Sequence, residues 1–169
     1  MKHIFAPWRS AYVESVGKSS ECFLCKAFNS SPEEDRKNLL LFRAKRAFVI
    51  FNLYPYNAGH LMIVPNEHIG DYELLDSETA LEMHRLLKLS IRALRSCLSP
   101  HGFNVGYNLG RSAGAGLESH IHLHCVPRWN GDTNFMTSIG KTKVISQSLE
   151  DLYDRLKPIF DSMWDDFKG

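Results

Sequence analysis

Residues 120–126 read His-Ile-His-Leu-His-Cys-Val, three histidines in strict alternation with Ile121, Leu123 and Cys125. A period of two belongs to a β-strand, whose successive side chains point to opposite faces. The three imidazoles therefore share one face while the apolar residues enter the core. Successive histidines stand ~6.5–7 Å apart along such a face. That spacing is too long for direct hydrogen bonds between neighbours, yet it suits the lining of one polar groove.

The flanking sequence supplies the rest of a sheet. Leu39–Phe42, Ala47–Asn52 and His60–Val64 are predicted strands, rich in β-formers, and Asn57-Ala58-Gly59 provides a turn before the third. Gly102–Leu109 and His120–Arg128 are two more, separated by the glycine-rich run 110–116. Between them Asp76–Leu98 predicts a long helix capped by Asp76 or Ser77. Its apolar stripe is Ala80, Met83, Leu87, Ile91, Leu94 and Leu98. Ser31-Pro32 opens a short helix. Ser148 opens a C-terminal one with Asp151 completing a capping box, and Pro158 is expected to kink or interrupt it. Strands, one inserted long helix and more strands describe an α+β fold with an antiparallel sheet. No repeat, low-complexity tract or linker divides the chain, so residues 1–169 read as a single domain with terminal extensions.

A net charge of +1 gives no bulk attraction to nucleic acid or to an anionic membrane, and neither is expected as a partner. No apolar run approaches the ~20 residues that span a bilayer. The N-terminal residues lack the apolar segment of a secretory signal, so a cytoplasmic location is expected. In that reducing setting the close pair Cys22 and Cys25 reads as a metal or redox site before a disulfide. Two-residue spacing lets both thiolates grip one metal, and no strand precedes Cys22 as a redox motif would require. Cys97 and Cys125 read as buried free thiols. His3, His84 and His101 have no constellation around them and read as solvated.

The histidine strand admits three chemistries. It could be a solvated or backbone-satisfied face, but the adjacent glycine-rich turn and Arg128 argue otherwise. It could bind a catalytic metal, but the nearby carboxylates are limited to Glu118 and Asp132. Nucleophilic catalysis is the stronger reading. Imidazole attacks phosphorus and then leaves, splitting one hard transfer into two easier steps. Its attacking nitrogen must be unprotonated, so the other ring nitrogen needs a partner that fixes the tautomer. Backbone N–H groups near Gly114 and Gly116 could cradle the anion. Arg111, Ser112 and Arg128 are candidate donors to an incoming phosphate.

The motif His120–Val126 resembles the signature of the histidine triad nucleotide hydrolases and transferases. The resemblance extends to Phe51–Pro65 with His68, and to Gly110–Trp129 with Gly131–Met136, covering roughly residues 20–140. These segments resemble the branch of bacterial diadenosine tetraphosphate phosphorylases. The resemblance implies a five-stranded antiparallel sheet per subunit, two sheets being joined in a homodimer. It implies His122 as the nucleophile that becomes nucleotidylated, His124 as the residue that assists the leaving group, and His60 as support for the triad. Asn52 corresponds to a ribose ligand, Leu53 to a base or ribose contact, and Asn108 to a phosphate ligand.

Many members carry Gln and Ser or Thr where this chain has Gly116 and Leu117, so the Gly116 backbone or Ser119 would replace those contacts. Trp129 is a candidate for base stacking, with a core or dimer role as the alternative. In zinc-containing relatives the cysteine pair is completed by two histidines. Here that set is Cys22, Cys25, His68 and His120, a structural Zn2+ site with no organic cofactor; a surface histidine remains the alternative for His68. The third histidine, His124, argues against the uridylyl transferase branch, which has Gln there. The expected function is cleavage of dinucleoside polyphosphates, an adenine dinucleotide being the expected substrate. The alternatives are a phosphoramidate or dinucleoside polyphosphate hydrolase, a non-catalytic nucleotide-binding regulator, and a catalytic metalloenzyme.

Overall fold

Five strands, Leu40–Arg43 (β1), Ala47–Phe51 (β2), Leu61–Pro65 (β3), Gly102–Tyr107 (β4) and Leu123–Arg128 (β5), form one antiparallel sheet in the order β1-β2-β3-β5-β4. The structure is a computed structural model and describes residues 21–132 and 147–167. His3 and residues 133–136 lie outside the described residues. The expected α+β architecture is present. Met62 and Gly106 stand opposite His124 on either side, so the histidine strand runs between β3 and β4.

Both faces of the sheet centre are covered, which is why β2 and β3 are buried at every position. On one face Leu61, Ile63, Leu123 and Cys125 meet the long helix Ser77–Leu98 and the C-terminal helix Leu149–Met163. On the other, Leu24 and Ala27 of the short helix Phe23–Asn29 (α1) pack on Phe48, Ile50, Met62 and Val64. The alternation in β5 thus has the predicted consequence: Leu123 and Cys125 join the larger core, and His124 shares the α1 face with Met62. Arg43 at the end of β1 donates to the carbonyl oxygens of Ala27 and Ser30 and to Asp35, which closes the C-terminus of α1. That helix carries Cys25 and is preceded by Cys22.

Four expectations need correction. The last strand pairs only from Leu123; in the β3 register Pro65 would face Ile121, and proline has no N–H to donate. Ile121 instead donates to the Ile69 carbonyl at 2.7 Å, so His120–His122 are held by the loop after β3. The stripe of the long helix is rotated: Thr79, Met83, Leu86, Leu89, Ser90, Ala93 and Leu94 are buried, while Ala80, Leu87, Ile91 and Leu98 flank them. Thr79 and Ser90 bury without penalty because their hydroxyls bond Asp76 and the Leu86 carbonyl. Asp76 is the cap, accepting from Glu78 and Thr79 N–H groups at 3.0 Å. The C-terminal helix runs on through Pro158, because Leu156 and Phe160 on either side are fully buried in the core. Lastly, Cys125 is fully buried but Cys97 is half-buried at the core's edge.

Gly59 ties the fold to the site. Its φ of +75° belongs to the left-handed region, and a Cβ there would stand 2.8 Å from Leu98 Cδ1 and 3.0 Å from Leu94 Cδ2. Gly59→Ala is expected to lower stability by about 2 kcal/mol, combining backbone strain with overpacking. Urea denaturation midpoints compared at equal slope would measure it; an unchanged midpoint would show that the turn before His60 tolerates a side chain.

Candidate active site

Each of the three histidines is buried, and in each case a backbone group decides which ring nitrogen carries the proton. His120 has Nε2 2.9 Å from the Pro65 carbonyl oxygen. A carbonyl can only accept, so Nε2–H donates and Nδ1 keeps its lone pair. His122 has Nδ1 2.9 Å from the carbonyl oxygen of His120. By the same logic Nδ1–H donates, and the lone pair lies on Nε2.

His124 is fixed at one remove. The Tyr56 backbone N–H donates to His60 Nδ1 at 3.1 Å, which leaves the proton of neutral His60 on Nε2. His60 Nε2 is 3.0 Å from His124 Nδ1 and donates to it. His124 then carries its own proton on Nε2, 3.4 Å from Asn108 Nδ2, and the Asn108 amide must turn its oxygen toward the ring to accept that proton. The His122 and His124 rings meet edge-on with centroids 4.8 Å apart, and Tyr56 stacks on His60 at 4.9 Å. Neighbouring histidines are not hydrogen-bonded to each other through their rings, as the strand spacing predicts.

Burial also holds these rings neutral. It pushes the His122 pKa below the ordinary histidine value, opposed by the bond to the His120 carbonyl. His124 is pushed down to about 4, first by burial and then by the neighbouring His122. At neutral pH the site presents an unprotonated nitrogen on His122 beside an N–H on His124. One ring can attack phosphorus while the other donates a hydrogen bond to the departing oxygen.

A second cluster begins at the other end of the motif. His120 Nδ1 lies 3.4 Å from both Cys22 Sγ and Cys25 Sγ, and Cys25 Sγ is 3.1 Å from His68 Nδ1. The ligand atoms of Cys22, Cys25, His68 and His120 all fall within 4.8 Å of one another. Sulfur and nitrogen around one tetrahedral metal stand about 3.6 Å apart, so the donor set and its spacing fit a four-coordinate soft cation. The Pro65 carbonyl completes the fit, because it orients the lone pair of His120 toward the thiols.

The remaining expected residues are placed differently. Asn52 is half-buried and its Oδ1 accepts the Tyr54 N–H at 2.9 Å, so its side chain also shapes the loop before His60. Leu53, Gly116 and Ser119 are exposed and Trp129 is half-buried. The hydrogen bonds that organise the histidines pass through none of these four. Arg128 is already engaged, donating to Asp132 at 2.6 and 2.9 Å and to Asn104 at 2.7 Å. Arg111 pairs with Glu118 at the surface. The two carboxylates near the motif thus face arginines. His84 and His101 are exposed, and His101 Nδ1 accepts the Asn130 N–H. The sequence does not reveal the backbone contributions of Tyr56 and Pro65, since any residue type could supply them.

Residues 33–131 match the family model described as the HIT domain, more than half of the chain. The chain belongs to the HIT, or histidine triad, family. A curated relative named AP-4-A phosphorylase, from Mycobacterium tuberculosis, is 39% identical over 156 residues, covering 89% of this chain and 80% of its own. An adenosine 5'-monophosphoramidase of Schizosaccharomyces pombe is 26% identical, covering 64% of this chain and 75% of its own. Among solved structures, a zinc-bound histidine triad protein from Mycobacterium smegmatis superposes with a TM-score of 0.68. It is 24% identical and covers 86% of this chain and 97% of its own, a likeness of fold. Among the described residues no helix is long and apolar enough to cross a membrane.

The depressed pKa of His124 predicts a HIT fold that weakens in acid. The folded chain favours the neutral ring down to about pH 4, whereas the unfolded chain binds its proton near 6.5. Between those values the unfolded state holds more protons, so stability falls as pH drops from 6.5 toward 4. His124→Gln is expected to flatten that part of the curve, read from urea midpoints at pH 7, 5.5 and 4.5. Parallel curves for the two proteins would contradict a buried neutral His124.

Proposed function

We propose that this chain cleaves dinucleoside polyphosphates by way of a nucleotidyl group carried on His122, in the manner of a diadenosine tetraphosphate phosphorylase. The observation that carries the reading is the bond from His122 Nδ1–H to the His120 carbonyl, which leaves Nε2 free to attack. The name of the Mycobacterium tuberculosis relative supports the substrate class. In the first step the Nε2 lone pair forms a P–N bond as the P–O bond to the departing nucleotide breaks. The departing phosphate oxygen leaves as the anion, accepting a hydrogen bond from His124 Nε2–H. In the second step an anionic oxygen of the acceptor phosphate attacks phosphorus, and the P–N electron pair returns to His122 Nε2. While nucleotidylated, the His122 ring is cationic, and the carbonyl of His120 still holds its Nδ1–H. Asn108, whose side-chain amide lies 3.4 Å from His124, is assigned the phosphate contact on the strength of the family resemblance. Asn52, Leu53, Gly116, Ser119 and Trp129 are assigned to ribose, base and leaving-group contacts on the strength of the family resemblance.

Inorganic phosphate is the proposed acceptor ahead of water. With diadenosine tetraphosphate, phosphorolysis yields ADP and ATP, whereas hydrolysis yields AMP and ATP. Across a phosphate titration ADP should rise with phosphate, and His122→Ala should abolish turnover while nucleotide binding persists. AMP at every phosphate concentration would establish the hydrolase instead, and full activity in His122→Ala would remove the nucleophile. Because the Schizosaccharomyces pombe relative is named a phosphoramidase, adenosine 5'-phosphoramidate belongs in the same panel. There the same two histidines would act on a P–N bond in place of P–O.

Zn2+ is the proposed occupant of the Cys22, Cys25, His68 and His120 set, a purely structural ion that pins the start of the histidine strand to α1. The zinc-bound description of the Mycobacterium smegmatis structure agrees with that choice. Thiolates of this kind persist in a reducing compartment, which favours a cytoplasmic protein. β4 is an edge strand with Val105 exposed and with Leu109 exposed just beyond it, and this edge is the proposed seam of a homodimer. Protein purified without added metal should contain about one zinc per chain, and Cys25→Ser should lose it. A metal-free, equally stable wild type with freely reactive thiols would rule out the zinc assignment.

A further inference from the structure

Asp132 lies ten residues beyond the nucleophile, and its carboxylate is nearly buried, 9% exposed. It accepts from Arg128 Nε and Nη2, from Asn57 Nδ2 at 2.7 Å and from the Trp129 N–H at 3.2 Å. Asn57 is itself buried, and its Nδ2 also donates to the Pro127 carbonyl at 2.9 Å. The side chain of Asn57 is thus clamped between the end of β5 and Asp132. Its backbone carbonyl accepts the His60 N–H at 3.2 Å. His60 in turn donates through Nε2 to His124 Nδ1 at 3.0 Å. A continuous path of hydrogen bonds runs from Asp132 through Asn57 and His60 to the ring that faces the leaving group.

We infer that Asp132 is a positioning residue for His124, acting through Asn57 and His60. The turn 57–60 needs such a clamp. Gly59 adopts a left-handed φ with Leu94, Leu98 and Pro127 crowding the space where a Cβ would be, so the turn has one seat against β5 and the long helix. Asn57 holds that seat from the side chain, and a paired carboxylate is the strongest available acceptor for it. Arg128 serves the same end: its bidentate pairing orients the carboxylate toward Asn57, and it is not held in reserve for phosphate. A small shift of His60 would misdirect the proton of His124 without touching the lone pair of His122, whose own anchor is the His120 carbonyl.

The kinetic consequence rests on the proposed role of His124 as hydrogen-bond donor to the leaving group, so the test has a kinetic and a spectroscopic arm. Asp132→Asn keeps the shape and replaces one acceptor oxygen with a donor. With diadenosine tetraphosphate, whose departing phosphate oxygen concentrates its charge and accepts the His124 N–H, kcat should fall about tenfold. With the 4-nitrophenyl ester of AMP, whose departing phenolate spreads its charge over the nitro-substituted ring and depends less on that hydrogen bond, kcat should change less than about twofold, and KM should hold for both. In nitrogen-15 spectra of the full chain, the ring signals of His60 and His124 should move while those of His120 and His122 stay. Asn57→Ser removes the Nδ2 donor yet leaves the Asp132–Arg128 pair, so it should shift the same two rings. It also serves if Asp132→Asn fails to fold. Equal loss on both substrates, a raised KM with unchanged kcat, or unmoved His60 and His124 signals in a folded variant would overturn the inference. If the wild type turns over neither substrate, the proposed function fails, and the ring signals alone decide the role of Asp132.

Discussion

The bond from His122 Nδ1 to the carbonyl of His120, 2.9 Å long, is made between residues two apart on one short stretch of chain. A regular pleat does not place an imidazole against the carbonyl two residues earlier. The geometry exists because the ladder to β3 stops at Leu123, short of Ile121, to which Pro65 would have had to donate, and because Ile121 turns to the loop at Ile69 instead. Proline ends the pairing and the end of pairing frees a carbonyl. That carbonyl assigns the proton of His122 to Nδ1 and leaves the Nε2 lone pair available. The same residue, Pro65, then uses its own carbonyl to orient His120 toward the cysteines.

His120 consequently belongs to two sites. Its ring faces Cys22, Cys25 and His68, and its backbone faces His122. Whatever fixes the ring also fixes the carbonyl, so the Cys2His2 cluster and His122 share one rigid residue. The helix that brings the cysteines is held from its far end by Arg43, which joins its last carbonyls to Asp35. Packing of Leu24 and Ala27 on the β2–β3 face supplies the apolar part of the same attachment. The scaffold thus presents three neutral, buried rings whose protons are assigned before any substrate arrives. Preorganisation of this kind is what group transfer to phosphorus demands.

Much of this was legible in the sequence, and the parts that were not share a cause. The alternation at 120–126 announced a strand with its histidines on one face, because side-chain parity in a strand is a property of the residues themselves. The cysteine spacing pointed to metal, and the structure gathers both cysteines with His68 and His120, the two residues that the family resemblance supplied. What stayed hidden depends on the backbone or on partners far along the chain. The tautomers are set by the Tyr56 N–H and by the Pro65 and His120 carbonyls, and no side-chain pattern encodes those. Arg128 read as a phosphate ligand because a cation beside the histidine strand invites that reading. Asp132 was visible only as a nearby carboxylate, and its i+4 pairing with Arg128 forms in a turn, not a helix, so no sequence pattern shows it. The long-helix stripe was rotated because Thr79 and Ser90 satisfy their hydroxyls locally and can be buried as readily as leucine.

The central claim is that His122 Nε2, and no other group, takes the nucleotidyl moiety from the substrate. Rapid mixing with diadenosine tetraphosphate, acid-free quenching within the first turnover and peptide mass spectrometry would capture that moiety directly. The account predicts an adenylyl group on the peptide containing residues 120–124, assigned by fragmentation to His122. An adduct on His124 or His120 would contradict it, as would turnover through the first cycle with no covalent species at any quench time.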